Sequence, residues 1–180
     1  MSHRAEAVRL SRACVATAIP SGDPIRLDAG IEVRLLQSLG GNFTVQTDRG
    51  ELARIDGADA DALGRSAPTT APVAAGPFEP ERVWDELRHV FDPEIPVNIV
   101  DLGLVYTCDP KQLPSGGFQV DVEMSMTAPG CGMGDVLAED VRRRLLGLPG
   151  VERAEVRVVF EPPWTPDRMS EAARLQLGWM

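Results

Sequence analysis

Residues 124–141, MSMTAPGCGMGDVLAEDV, contain one cysteine, Cys131, in a turn rich in proline and glycine. The residues before this turn predict a strand, and the residues after it predict a helix. A thiol just ahead of a helix meets unsatisfied backbone N–H groups and the positive end of the helix dipole, and both favour the thiolate. A thiolate is a nucleophile and a soft metal ligand. Cys131 is therefore the first candidate for chemistry in this chain.

Phosphate-binding loops are excluded at this position. The letters GCGMG follow a strand and open a helix, as a dinucleotide fingerprint does, but the third glycine of G-x-G-x-x-G is replaced by Asp135. A phosphatase-type thiolate loop needs an arginine six residues after the cysteine, and Leu137 occupies that place. The only lysine, Lys111, lies in a loop-like stretch, which argues against lysine-dependent nucleotide or Schiff-base chemistry.

Three interpretations of Cys131 remain open from the residues alone. A thiol enzyme needs a nearby base, and the histidines are His3 in a predicted tail and His89 on the polar side of a helix. A packed, inert thiol is a common fate of free cysteine. As a metal ligand, one cysteine is too few for an iron–sulfur cluster or structural zinc, and the chain has no C-x-x-C. A metal site would then be transient, shared between subunits or completed by a partner.

Composition predicts a globular, acidic protein. The 180 residues are 43% hydrophobic and carry a net charge of -9, which disfavours nucleic acid as a partner because phosphate binding needs basic side chains. No apolar run of about 18 residues predicts a membrane span. The three cysteines, Cys14, Cys108 and Cys131, are odd in number and widely spaced, and no signal peptide is recognised. We therefore expect reduced thiols and a cytoplasmic location.

Composition also divides the chain into four parts. Residues 1–14 are predicted to be an N-terminal tail. Residues 15–64 alternate short β-like runs with turn signals, which predicts a small β-barrel-like module or curled sheet. Residues 65–78, rich in alanine and proline, predict a linker. Residues 79–180 predict the order helix, strand, strand, helix, strand, helix, and hence an α/β (α+β) domain with a small mixed sheet covered by helices.

Several separate motifs in the last part resemble one family. DPEIP at residues 92–96 and DLGLVY at residues 101–106 precede a strand that ends with Thr127 and, four residues later, Cys131. This order resembles the metal–sulfur cluster biosynthesis family, the small domain shared by SufT-type and PaaD-type proteins. The fuller string TAPGCGMGDVLAEDV, the tail EPPWTPDRMSEAARLQLG and the N-terminal β module resemble the SufT branch.

The resemblance implies an accessory factor for iron–sulfur protein maturation. Its partners would be Suf-type assembly proteins and client apo-proteins, with a second copy of the chain as a further possible partner. It implies a thiol role for Cys131, which would carry a transient iron–sulfur cluster or iron and needs no nucleotide. Asp92, Glu94 and Thr127 would support this thiol, although each has a plain alternative as a helix-ending, solvated or turn-capping residue. The expected protein is not an enzyme; a thiol-dependent enzyme and a non-catalytic adaptor for clients are the alternatives.

Overall fold

The computed structural model describes residues 5–67 and 76–179, and the chain forms two compact units, Met1–Thr70 and Ala71–Met180. Residues 1–4 of the predicted tail, residues 68–75 of the predicted linker and residue 180 lie outside the described residues. Among the described residues, no helix combines the length and the apolar character that a membrane span requires.

The first unit is a single antiparallel sheet of six strands. They are β1 (Glu6–Arg9), β2 (Cys14–Ile19), β3 (Pro24–Leu27), β4 (Glu32–Leu39), β5 (Asn42–Gln46) and β6 (Leu52–Ile55), followed by a 3₁₀ segment, Gly57–Leu63. Their order in the sheet is β1-β4-β5-β6-β2-β3, so β1 and β3 are edges and the sheet does not close into a barrel within the described residues. The sheet begins earlier than predicted, because β1 pairs with β4 inside the expected tail of residues 1–14.

The core of the first unit follows the two-residue period of its strands. Cys14 and Ala16 of β2 are buried, whereas Val15 between them is exposed. Val45 and Ile55 are fully buried at the centre of the same cluster. Small turns closed by glycines with positive φ connect the strands, which is why the region is so rich in glycine.

The second unit confirms the predicted α+β class. Its elements are α1 (Pro80–Leu87), β7 (Val105–Gln112), β8 (Phe118–Met124), α2 (Gly134–Leu146), β9 (Val151–Val158) and α3 (Glu171–Leu177). The sheet order is β7-β8-β9; β7 and β8 are antiparallel, and β8 and β9 are parallel, as the strand–helix–strand pattern predicts. The carboxyl end of β8 therefore leads into α2, and open α/β sheets place their ligands at such ends.

The core of the second unit lies between the sheet and α2. Leu137, Val141 and Leu145 form a stripe on α2 that is fully buried, and the helix packs against β9. On β8, the alternate residues Val120 and Val122 face the same core. This burial anchors both ends of the turn that carries Cys131.

Two predicted boundaries in the second unit are wrong. The apolar run at residues 99–108 predicts a strand, yet β7 begins only at Val105. Residues 99–104 instead bond locally, with the N–H of Leu104 donating to the carbonyl of Ile99 at 3.0 Å. The strand then continues to Gln112, through residues expected to form a loop. Pro110 is tolerated in β7 because this strand is the edge of the sheet.

Candidate functional site

Cys131 lies where the sequence predicts, in the turn between β8 and α2. Gly130 has φ of 76°, which lets the chain reverse direction there. The N–H of Gly134, the first residue of α2, donates to the carbonyl of Cys131 at 3.3 Å. The thiol is half-buried and forms no disulfide.

Two methionines fix this turn on both sides of Cys131. Met126 is 3% exposed and Met133 is fully buried. A Cβ added at Gly134 would lie 3.6 Å from a side-chain carbon of Met126 and 3.6 Å from one of Val158, so the start of α2 packs directly on the end of β9. The half-buried thiol is thus held by a turn whose flanks belong to the hydrophobic core.

Asp92 ends the segment after α1 and is almost fully buried, at 2% exposure. Its Oδ1 accepts hydrogen bonds from the N–H groups of Glu94, at 2.9 Å, and Ile95, at 3.0 Å. Burial raises the pKa of Asp92; the two backbone hydrogen bonds act in the opposite direction, and the charge of Glu94 adds to the rise. Asp92 is therefore a hydrogen-bond acceptor that organises this turn, and its burial makes the ionised form of the carboxyl unfavourable.

The other two supporting residues occupy different settings. Glu94 is exposed in the turn that Asp92 organises. Thr127 is half-buried at the start of the Cys131 turn. Within the described parts of the chain, no three His, Cys, Asp or Glu side chains come together in a way that could hold a metal ion. Cys131, Asp92 and Glu94 therefore do not form a three-ligand set.

The other candidate groups for thiol chemistry have different surroundings. His89 is exposed just beyond the end of α1 and not on the helix, and its Nδ1 lies 2.7 Å from the carbonyl oxygen of Asp85. Cys108 lies on β7 opposite Val122, and burial, with a smaller contribution from Asp109, raises its pKa to about 11. Cys14 is buried in the first unit, where desolvation is the main cause of a raised pKa. Neither of these two thiols forms a thiolate readily at neutral pH.

Lys111 lies on β7 and not in a loop. Its Nζ contacts carboxylate oxygens of Asp121, at 2.7 Å, and Asp109, at 3.4 Å. These charges line a shallow groove of about 360 Å³ on the sheet, together with Glu155 and Arg157. The hydrogen bond from Lys111 lowers the pKa of Asp121 and raises that of the lysine. The lysine is thus engaged in surface ion pairs.

Ser125 is a residue that the sequence interpretation missed. It is 1% exposed, and its Oγ has no hydrogen-bond partner among the described residues. Its backbone N–H donates to the carbonyl of Leu104 at 2.8 Å. This bond connects the end of β8 to the DLGLVY segment. The pattern of residues 118–126 predicts burial only for the opposite side of the strand, so no local signal marks Ser125.

The comparisons with known proteins agree with this architecture. Residues 80–158 match the family described as "Iron-sulfur cluster assembly protein". A "Fe-S protein maturation auxiliary factor" of Porphyromonas gingivalis is 47% identical over 94 residues, which cover 52% of this chain and 86% of that protein. YitW of Bacillus subtilis, with the same description, is 39% identical over 98 residues, covering 54% of this chain and 92% of YitW.

A third relative has the same description. SufT of Staphylococcus aureus is 40% identical over 89 residues, covering 49% of this chain and 97% of SufT. The matched α+β unit is a small assembly domain of the SufT type, which confirms the predicted resemblance. The chain belongs to the iron–sulfur cluster assembly protein family.

Proposed function

We propose that this protein is an accessory factor in iron–sulfur cluster assembly and in the maturation of iron–sulfur proteins. Family membership and the names of the three relatives support this role. The observation that carries the finer proposal is the half-buried Cys131 thiol, held in a fixed turn at the carboxyl end of β8. The half-buried position leaves part of Cys131 exposed to solvent.

In this proposal, Cys131 carries or helps to transfer a cluster or iron. The thiol loses its proton and the thiolate binds iron through its sulfur, so that uptake of iron releases a proton. The described residues supply no three-ligand set, and an iron–sulfur cluster needs about four protein ligands. A second copy of the chain or a client protein therefore supplies the remaining ligands, which makes the bound cargo easy to release.

Asp92, Glu94 and Thr127 support the thiol in this scheme. Asp92 fixes the turn that exposes the Glu94 carboxylate. Thr127 opens the turn of Cys131. The proposed partners are Suf-type assembly proteins and client apo-proteins in the cytoplasm, with no nucleic acid or membrane involved. The protein acts by carrying cargo and not by catalysis.

Anaerobic reconstitution with iron and sulfide tests the ligand role. Wild type, Cys131→Ala and Cys108→Ala are treated in parallel and freed of unbound iron, and iron content and visible absorption are measured. We expect wild type and Cys108→Ala to retain iron and Cys131→Ala to lose it. Equal iron and absorption in all three proteins would show that Cys131 is not a ligand.

A further inference from the structure

The segment after β9 is bonded to the loop that carries the DLGLVY motif. We call residues 162–176 the C-terminal strap, and we call residues 96–106, a loop together with the first two residues of β7, the motif loop. The strap lies beyond residues 80–158, to which the family description applies. Its contacts with the motif loop span about 60 to 80 positions of sequence, so they are tertiary and not local.

Four hydrogen bonds and one close approach join the strap to the motif loop. The bonds are Trp164 Nε1 to the carbonyl of Leu102 at 2.7 Å, the N–H of Ser170 to the carbonyl of Asp101 at 2.8 Å, Tyr106 Oη to the carbonyl of Pro162 at 2.8 Å, and Gln176 Nε2 to the carbonyl of Pro96 at 3.1 Å. Gly103 lies so close to the strap that a Cβ added there would clash with the backbone carbonyl of Arg168. The Arg168 guanidinium also lies 4.2 Å above the Tyr106 ring.

The motif loop is itself well ordered by internal bonds. Asn98 Oδ1 accepts from the N–H groups of Val100 and Asp101, and Asn98 Nδ2 donates to Asp101 Oδ2 at 2.6 Å. These hydrogen bonds couple residues 98–101, and the N–H of Leu102 donates to the carbonyl of Asn98 at 3.0 Å. A displacement of Leu102 by the strap therefore also displaces the residues of the motif loop that are hydrogen-bonded to it.

The motif loop is bonded on its other sides to both parts of the candidate site. The N–H of Asp92 donates to the carbonyl of Val97 at 3.3 Å. The N–H of Ser125 donates to the carbonyl of Leu104, and Ser125 leads within six residues to Cys131. The motif loop is thus the bonded connection between the Asp92 turn and the strand end that leads to the thiol.

We infer that the C-terminal strap positions Cys131 by fixing the motif loop, with Trp164 as its main positioning residue. Trp164 donates the shortest of the four bonds, and its acceptor, Leu102, is fully buried at the centre of the loop. The inference deepens the proposed function, because Cys131 is the thiol that this function uses. Loss of the indole N–H leaves the strap in place but loosens the loop, and the strand end at Ser125 follows.

The test compares Trp164→Phe with Trp179→Phe in the full chain. Trp179 is in the same tail, is 48% exposed and follows the strap, so its substitution controls for the loss of an indole. Two readouts are taken under native conditions: the rate of Cys131 modification by iodoacetamide, followed by peptide mass spectrometry, and the hydrogen exchange of the Ser125 amide. Tyr106→Phe, which removes only the bond to Pro162, is a second and milder variant.

We expect Trp164→Phe to speed both Cys131 modification and Ser125 exchange by about fivefold, the effect of one neutral hydrogen bond on a local opening equilibrium. Tyr106→Phe should change both rates in the same direction, and Trp179→Phe should leave both at the wild-type value. Wild-type rates in Trp164→Phe and Tyr106→Phe would overturn the inference. Neither readout depends on iron binding by Cys131, so this result can be distinguished from a failure of the proposed function.

Discussion

The backbone N–H of Ser125 donates a 2.8 Å hydrogen bond to the carbonyl of Leu104, and this bond joins two motifs that lie about 20 residues apart. Leu104 belongs to the DLGLVY segment, and Ser125 begins the path from β8 to Cys131. The DLGLVY segment and the strand end that leads to Cys131 are therefore connected through the backbone in this chain.

The closeness of Gly103 to Arg168 predicts a large cost for a small substitution. Gly103 has φ of 70°, and a Cβ there would meet the backbone of Arg168. Gly103→Ala should lower the free energy of unfolding by about 2–4 kcal/mol, the sum of a left-handed alanine and an overpacked contact. Gly116→Ala is the matched control, since Gly116 has φ of 92° and open space around its Cα.

We expect the control to cost about 1 kcal/mol, from the backbone conformation alone. Urea unfolding of the two variants measures the difference. Equal losses of unfolding free energy in Gly103→Ala and Gly116→Ala would mean that the strap does not pack against Gly103 in solution.

The burial of Asp92 predicts a pH-dependent stability. Its pKa is raised in the folded state, so between the unfolded and the folded pKa the folded protein binds more protons. The contribution of Asp92 to the free energy of unfolding therefore falls as pH rises through this interval. Asp92→Asn keeps an acceptor for Glu94 and Ile95 but cannot ionise.

The stability of Asp92→Asn relative to wild type should therefore increase from pH 3.5 to pH 7 in urea unfolding experiments. Asp92→Ala loses the acceptor, and we expect it to be less stable than Asp92→Asn by about 1–3 kcal/mol at every pH. A stability of Asp92→Asn relative to wild type that falls as pH rises would contradict the assigned direction.

The buried hydroxyl of Ser125 predicts a stabilising substitution. A buried donor without a partner keeps its desolvation cost, so Ser125→Ala should raise the free energy of unfolding by about 1 kcal/mol. Ser170→Ala is the contrast, because Ser170 Oγ accepts from the N–H of Ala173 at 3.1 Å and caps α3. That variant should lose about 1 kcal/mol. Thermal unfolding of both variants shows whether each substitution raises or lowers the stability. A lower stability of Ser125→Ala would mean that the Ser125 hydroxyl has a hydrogen-bond partner.

The surroundings of the three thiols predict selective labelling. The pKa of Cys108 is about 11, so about one molecule in a thousand carries this thiolate at pH 8. Cys14 is buried and its pKa is also raised. Iodoacetamide at pH 8 should therefore modify Cys131 first in the folded protein, as mass spectrometry of the peptides can measure. The rate at Cys108 should rise about tenfold for each pH unit below 11, and labelling of Cys108 as fast as Cys131 would refute this order.

The regular elements of the second unit follow from local patterns. The alternation of apolar and polar residues at 118–124 fits only a strand, and the apolar stripe of α2 fits only a helix. The elements β8, α2 and the parallel partner β9 can therefore be predicted from the sequence. The turn of Cys131 follows from the same reasoning, because proline and glycines separate the two patterns. The place of the thiol in the chain is thus a local property.

The conformations of the motif loop and the strap cannot be predicted from local sequence patterns. The apolar letters of residues 99–105 are typical of a strand, but the side chain of Asn98 captures two backbone N–H groups and favours a turn. The burial of Asp92 and the bond between Trp164 and Leu102 depend on residues up to 62 positions away. The partners lie too far apart in the sequence for a local pattern to reveal them, so these contacts become visible only in the folded structure.

The most direct test of the account is the maturation of a client iron–sulfur enzyme in cells that lack this protein. Wild type, Cys131→Ala and Cys108→Ala are expressed at equal levels, and the specific activity and iron content of the client are measured. Wild type and Cys108→Ala should restore both, whereas Cys131→Ala should leave the client largely without its cluster. Full restoration by Cys131→Ala would contradict the central claim, since the domain would then act as an adaptor without its thiol.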